Sequence, residues 1–156
     1  MYSVVKLKVW KVGKLKKVVD ILYKCGKDMA AKYDLHHWDN SNFKNWLIVF
    51  MCALKNDVYL VFDKENAVAT FQTRKNSGKL LFQKLATAPE FSGKGVGSFC
   101  LKQIETIACE SGCSEIICEV YDKSKHAISF YENKGYVAYG TVETLKYNEL
   151  KMMKKL

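Results

Sequence analysis

Three glycines at alternate positions, Gly93, Gly95 and Gly97, stand where one residue pattern gives way to another. Before them, Leu80 to Thr87 reads as a strand. After them, Val96, Cys100, Leu101, Ile104, Ile107 and Ala108 recur at the three- and four-residue spacing of a helix that runs to about Glu110. The junction, P-E-F-S-G-K-G-V-G-S-F-C from Pro89 to Cys100, is therefore a strand-to-helix turn. Glycine lets a backbone take positive φ and approach a ligand closely. The first N–H groups of a helix have no partner within it, and with the helix dipole they attract phosphate oxygens. Lys94 adds a charge and Ser98 a hydroxyl, so the turn suits a pyrophosphate. A tight turn whose glycines serve only packing has the same residues, and this segment alone leaves both readings open.

Two other phosphate motifs are excluded by spacing. The Walker form G-x-x-x-x-G-K-[ST] occurs nowhere in the chain. The dinucleotide form needs G-x-G-x-x-G at the opening of a βαβ domain, whereas the spacing here is G-x-G-x-G and some 80 residues precede it.

The rest of the chain frames this turn. Residues 2–10 read as a strand and 14–33 as an amphipathic helix, with Leu15, Val18, Leu22, Cys25, Met29 and Tyr33 on one side. After a polar stretch, Asp34 to Asn42, a second helix is expected over Phe43 to Leu54. Strands follow over Val58–Phe62, Ala67–Thr73 and Leu80–Thr87, separated by turns at Asp63–Asn66 and Asn76-Ser77-Gly78. Beyond the glycine-rich helix come a strand over Glu115–Tyr121, a short helix over Lys125–Lys134 stopped by Gly135, and closing strands over Tyr136–Thr144 and Tyr147–Met153. The order βααβββαβαββ predicts an α/β fold with a mixed sheet flanked by helices. It is parallel where the 80–121 region crosses over through a helix, and antiparallel at the hairpins.

At 156 residues and 49% hydrophobic content, residues 1–156 suit a single domain with its own core. The start M-Y-S-V-V-K-L-K-V-W is not a secretory signal. The longest apolar run, Trp46 to Leu54, is nine residues, against roughly 20 for a membrane span. A cytoplasmic location is expected. The six cysteines form no C-x-x-C pair, and the three histidines lack zinc-site spacing, so no metal is expected. The net charge is +9, of which +7 lies in residues 1–32. Such an end attracts nucleic acid or an anionic cofactor, but scattered lysines on one helix more often form a solvated face.

A second segment, C-E-V-Y-D-K-S-K-H-A-I-S-F-Y-E-N-K-G-Y from Cys118 to Tyr136, adds specificity. Its ending F-Y-E-N-K-G-Y is similar to the F-Y-x-x-x-G-F/Y of GNAT (GCN5-related) N-acetyltransferases. Ser92-Gly93-Lys94-Gly95-Val96-Gly97 resembles that family's Arg/Gln-x-x-Gly-x-Gly/Ala loop, with Ser92 in place of Arg or Gln. L-A-T-A-P, Leu85 to Pro89, resembles the strand end before the loop.

The resemblance is close over about residues 80–140. It implies a GNAT fold with a splayed parallel strand pair, and acetyl-CoA as co-substrate. It also implies direct attack by a primary amine on the thioester, with backbone donors holding the oxyanion. Leu85, Ala86 and Thr87 would meet the pantetheine arm like an added strand. Ser92, Gly93, Lys94, Gly95, Val96, Gly97 and Ser98 would meet the diphosphate. Ser124, where many members have asparagine, would make one further contact.

By the same resemblance Tyr131 would protonate the departing thiolate. Glu119, where members resembling the ribosomal-protein N-terminal acetyltransferases have a glutamate, would take the amine's proton directly or through water; flanked by Ile117, Cys118 and Val120, it would be partly desolvated if it faces the cleft. A packed core tyrosine and an exposed or salt-bridged glutamate are the plain alternatives at these two positions. His36 and His37 lie in the polar segment that, by the resemblance, lines the acceptor site, and they read as loop residues rather than catalysts. The acceptor is a small-molecule or protein amine, and a homodimer is admissible. A non-catalytic CoA-binding or regulatory module, or a basic nucleic-acid-binding protein, stands as the alternative, although no RNA motif or zinc finger is found.

Overall fold

The computed structural model describes residues 1–8, 12–38 and 46–156. Its elements are β1 (Tyr2–Lys6), α1 (Val12–Tyr33), α2 (Trp46–Lys55), β2 (Asp57–Asp63), β3 (Asn66–Asn76), β4 (Lys79–Thr87), a 3-10 turn (Pro89–Phe91), α3 (Val96–Glu110), β5 (Glu115–Tyr121), α4 (Lys125–Glu132), β6 (Val137–Glu143) and β7 (Asn148–Lys155). The order is the one expected. The continuation of the first strand to Trp10, and a second helix starting at Phe43, lie outside the described residues.

All seven strands form one sheet in the order β1-β2-β3-β4-β5-β7-β6. Every pairing is antiparallel except β4 with β5, the pair joined through α3. Each face of the sheet carries its own core. On one face Phe71, Phe82, Leu101, Ile104, Ile116 and Met152 pack with α3 and Tyr131 of α4. On the other, Leu15, Val18, Ile21 and Leu22 of α1 cover Val58, Leu60 and Ala86. Each such fully buried aliphatic side chain contributes about 1.5–3 kcal/mol through its removal from water.

The lysines of α1 behave as a solvated face. Lys16, Lys17, Lys24 and Lys27 are exposed, and Lys24 and Lys32 each pair at 2.9 Å with an aspartate one turn earlier, Asp20 and Asp28. No helix among the described residues is long and apolar enough to cross a membrane.

What positions the site is the end of the β4–β5 pairing. The two strands run in register only at Lys79–Glu115, Leu80–Ile116 and Leu81–Ile117. Beyond Leu81, β4 continues to Thr87 and β5 to Tyr121 with no ladder between them, so the strands splay. On its other edge β4 stays paired to β3, with an irregularity between Thr70 and Gln72. Lys84 sits opposite that irregularity with φ +51°, in the left-handed region.

Candidate active site

The splay opens a cavity of about 660 Å³, within the range of about 300–1,000 Å³ common to small-molecule sites. Its walls are β4 from Leu81 to Thr87, β5 from Cys118 to Tyr121, the glycine-rich turn, the start of α4, the end of α1, and the residues leading into β7. Past Leu81, the β4 edge that would face β5 presents its backbone groups to this space.

The turn at the head of the cleft is built without side-chain caps. Gly95 is the N-cap of α3 with φ +81° and ψ 1°, and no side chain caps the helix. The first backbone bond of α3 runs from the Phe99 N–H to the Gly95 carbonyl, 3.0 Å. Among the described residues, the N–H groups from Gly93 to Ser98 make no backbone bond in the turn. They are free donors at the positive end of a 15-residue helix.

The three glycines have different jobs. A Cβ added at Gly93 (φ +74°) or Gly95 would meet nothing within 4 Å, so at these two positions the requirement is backbone conformation and open space. At Gly97 the added Cβ would lie 3.2 Å from the Phe130 Cζ, so this glycine lets α3 approach α4.

Ser92, Gly93, Gly95, Val96, Gly97 and Ser98 all line the cleft, as do Leu85, Ala86 and Thr87. Lys94 is outside the lining. It is exposed, its ammonium is 5.2 Å from the centre of the Phe91 ring, and its carbonyl accepts from the Tyr2 hydroxyl at 3.1 Å. Ser124 is buried and caps α4, its carbonyl accepting from the Ala127 and Ile128 N–H groups at 3.0 Å.

Tyr131 lies on α4 against both core and cleft. Its ring makes edge contacts with Phe82 (5.7 Å) and Tyr136 (5.8 Å), and it is 8% exposed. Burial, with Cys118 and Tyr136 nearby, holds its phenol well above the ordinary tyrosine pKa, so the proton stays on at neutral pH. The neighbouring thiols are pushed up by burial too, Cys100 to about 12 and Cys25 to about 11.

Glu119 lines the cleft but is exposed, in contrast to the partial desolvation expected from its neighbours. Alternation explains the difference. Cys118 and Val120 point into the α3-side core, and Glu119 points to the opposite face.

One functional candidate lay outside the sequence reading, and a second was set aside there as a loop residue. Glu149 on β7 is half-buried in the cleft wall. Its pKa is raised above 4.5 by burial first and by Glu119 second, with Lys84 opposing. His37, read as a loop residue, also lines the cleft. Its ring is 4.5 Å from Tyr121 and 5.9 Å from Tyr147, and its Nδ1 is buried without a partner. Burial, His126 and Lys84 lower its pKa from 6.5 to about 4, so it is neutral at pH 7. The chain reaches this place because Gly26 on α1 has no side chain; a Cβ there would lie 2.6 Å from the Trp38 carbonyl oxygen. No signal within its own segment indicated Glu149, and the burial of His37 likewise depends on tertiary placement.

Comparison with known proteins agrees with this geometry. A 56-residue stretch is 30% identical to thialysine N-epsilon-acetyltransferase of Sus scrofa, covering 36% of this chain and 33% of the relative, and the Bos taurus protein of that name matches equally. The chain thus spans about a third of the length of the curated relatives it matches. The fold superposes on the PaiA N-acetyltransferase of Thermoplasma acidophilum, solved with coenzyme A, with a TM-score of 0.81 and 17% identity over 100% of this chain and 99% of that one. It also superposes on the ribosomal-protein alanine N-acetyltransferase of Escherichia coli, with a TM-score of 0.75 and 15% identity over 99% and 94%. Residues 17–136 match the acetyltransferase (GNAT) family, and with the splayed β4–β5 pair opening onto its glycine-rich turn, this chain belongs to that family.

Proposed function

We propose that the cleft binds acetyl-CoA and that the protein transfers the acetyl group to a primary amine by direct attack. The observation that carries this reading is the loss of β4–β5 pairing after Leu81 and Ile117, which opens a cavity ending on unpaired helix N–H groups. The residues fit the co-substrate. The free edge of β4 at Leu85, Ala86 and Thr87 suits the amide groups of a pantetheine arm. The N–H groups of residues 93–98 suit a diphosphate, in the open space at Gly93 and Gly95. The Ser92 and Ser98 hydroxyls lie on the same wall, Lys94 adds charge at the rim, and Ser124 lies beside the start of α4.

The co-substrate supplies an activated acyl group on a thiol leaving group. The chain's own residues handle protons. Tyr131, whose phenol keeps its proton at neutral pH, donates to the departing thiolate. A carboxylate of the cleft receives the proton of the amine directly or through water, and Glu119, at the cleft's exposed side, is the one to which the sequence resemblance points. The acceptor is a small-molecule or protein amine, in keeping with the lysine-like substrate in the names of the curated relatives. All six cysteines are free thiols, which supports a reducing, cytoplasmic location. The exposed edge strand β6 leaves room for a homodimer.

The test is calorimetric titration with CoA, followed by thiol release from acetyl-CoA in a panel of amines. Saturable binding and amine-dependent release are expected. Absence of any CoA affinity sinks the reading, and binding without amine-dependent release reassigns the chain as a non-catalytic CoA-binding module.

A further inference from the structure

An amine acceptor arrives protonated at neutral pH, and its proton needs a destination on the face of the sheet where the cleft is open. β5 and β7 pair with Tyr121 opposite Glu149 and Glu119 opposite Lys151. Directly opposed residues project to the same face, and the diagonal pair Glu119 and Glu149 stands about 7–8 Å apart at the backbone. Two carboxylates therefore share the cleft floor with the rings of Tyr121 and Tyr147, which meet edge to face at 5.2 Å, and with the neutral imidazole of His37. Among the described residues neither carboxylate is held in a salt bridge.

The groups that act on Glu149 besides Glu119 are Lys84 from β4 and Tyr147 beside it, and Lys151 follows two residues on along its own strand. Lys84 offsets Glu149 in part, its own pKa lowered by burial.

We propose that Glu149, half-buried on this floor and diagonal to Glu119, is the residue that receives the proton of the arriving ammonium. This rests on the acetyl-transfer reading of the cleft. The two carboxylates and the π-faces of Tyr121 and Tyr147 suit an alkylammonium. The ammonium N–H bond breaks and its proton passes to a Glu149 carboxylate oxygen. The nitrogen lone pair so freed forms the C–N bond to the thioester carbonyl as the C–S bond breaks, the departing thiolate takes the Tyr131 proton, and the second proton lost by the nitrogen returns to that phenol through solvent. Glu149 suits the role better than Glu119 because it is the half-buried member of the pair, held toward the protonated form by its neighbour.

The experiment compares Glu149→Gln and Glu119→Gln with the wild type on two acceptors, an alkylamine that is an ammonium ion at pH 7 and a weakly basic alkoxyamine that is already neutral. Loss of a base typically costs about a hundred- to ten-thousandfold. In Glu149→Gln, kcat/KM should fall by that much for the alkylamine and less than about tenfold for the alkoxyamine, with the acid limb of the alkylamine profile altered. A second readout is independent of turnover. The raised pKa means that folding favours protonated Glu149, a contribution present at low pH and lost as pH rises through the folded-state pKa. Glu149→Gln should therefore melt above wild type at pH 7, with the gap closing toward pH 4.

Equal losses on both acceptors, an acid limb moved only by Glu119→Gln, or a melting gap that does not change with pH overturns the assignment. CoA titration of the same variants keeps this apart from the parent reading: unchanged affinity leaves acetyl-CoA binding standing whatever becomes of Glu149.

Discussion

Replacing Gly95 separates the cost of folding the turn from the cost of binding a diphosphate there. Gly95 has φ +81°, and an added Cβ meets no protein atom within 4 Å. The folding penalty is therefore left-handed strain without a clash, about 1–2 kcal/mol for a residue with a Cβ and somewhat less for aspartate, whose side chain bonds locally. In a domain of this size that lowers the melting temperature by about 2–8 °C. Gly95→Ala and Gly95→Asp share this penalty.

They differ in the cleft. A carboxylate placed about 5 Å from one diphosphate charge, at an effective dielectric of about 20, is repelled by about 3 kcal/mol. That corresponds to about two orders of magnitude in Kd. The assay is calorimetric titration of CoA against wild type and both variants, with melting curves in parallel. The variants should melt within a few degrees of each other, while Gly95→Asp binds CoA at least a hundredfold more weakly than wild type and clearly more weakly than Gly95→Ala. The charge-derived part should shrink in 1 M salt, where screening acts within about 3 Å. Wild-type affinity in Gly95→Asp, alongside the expected drop in melting temperature, would show that the turn folds as described and holds no diphosphate.

Two further outcomes follow from buried titratable groups. Tyr131→Phe keeps the ring contacts to Phe82 and Tyr136 and removes only the hydroxyl, so turnover should fall more than CoA affinity does; full turnover across the pH range removes Tyr131 from the chemistry. His37, with a folded-state pKa of about 4 against 6.5, binds its proton more readily when unfolded, so its contribution is fully present above about pH 6.5 and is lost as pH falls toward 4. Melting curves between pH 7 and 4 should show a steeper loss for wild type than for His37→Gln; parallel curves refute the desolvated imidazole.

Glu149 and the buried setting of His37 mark where the sequence stopped being sufficient. Element order and type were legible because each segment carries its own period: β5 was read as Glu115–Tyr121, and the structure has it there. The glycine-rich turn was legible as a strand-to-helix junction, but its division of labour was not. Gly93 and Gly95 are set by local φ, whereas the role of Gly97 depends on Phe130, 33 residues away.

The carboxylates show the limit most clearly. Ile117, Cys118 and Val120 made Glu119 look desolvated, but a strand sends successive side chains to opposite faces. Cys118 and Val120 are buried in the core behind the sheet, and their apolarity says nothing about the face that Glu119 shares with Tyr121. Glu149 gave no signal at all within N-E-L-K-M-M-K-K. Its environment comes from the register that sets it opposite Tyr121 and diagonal to Glu119, and from a β4 bulge that brings Lys84 within electrostatic reach. Neighbours along the chain determine which element a residue joins, and cross-strand neighbours determine its proton affinity. A base in an open sheet is therefore better sought by pairing strands than by scanning flanking residues.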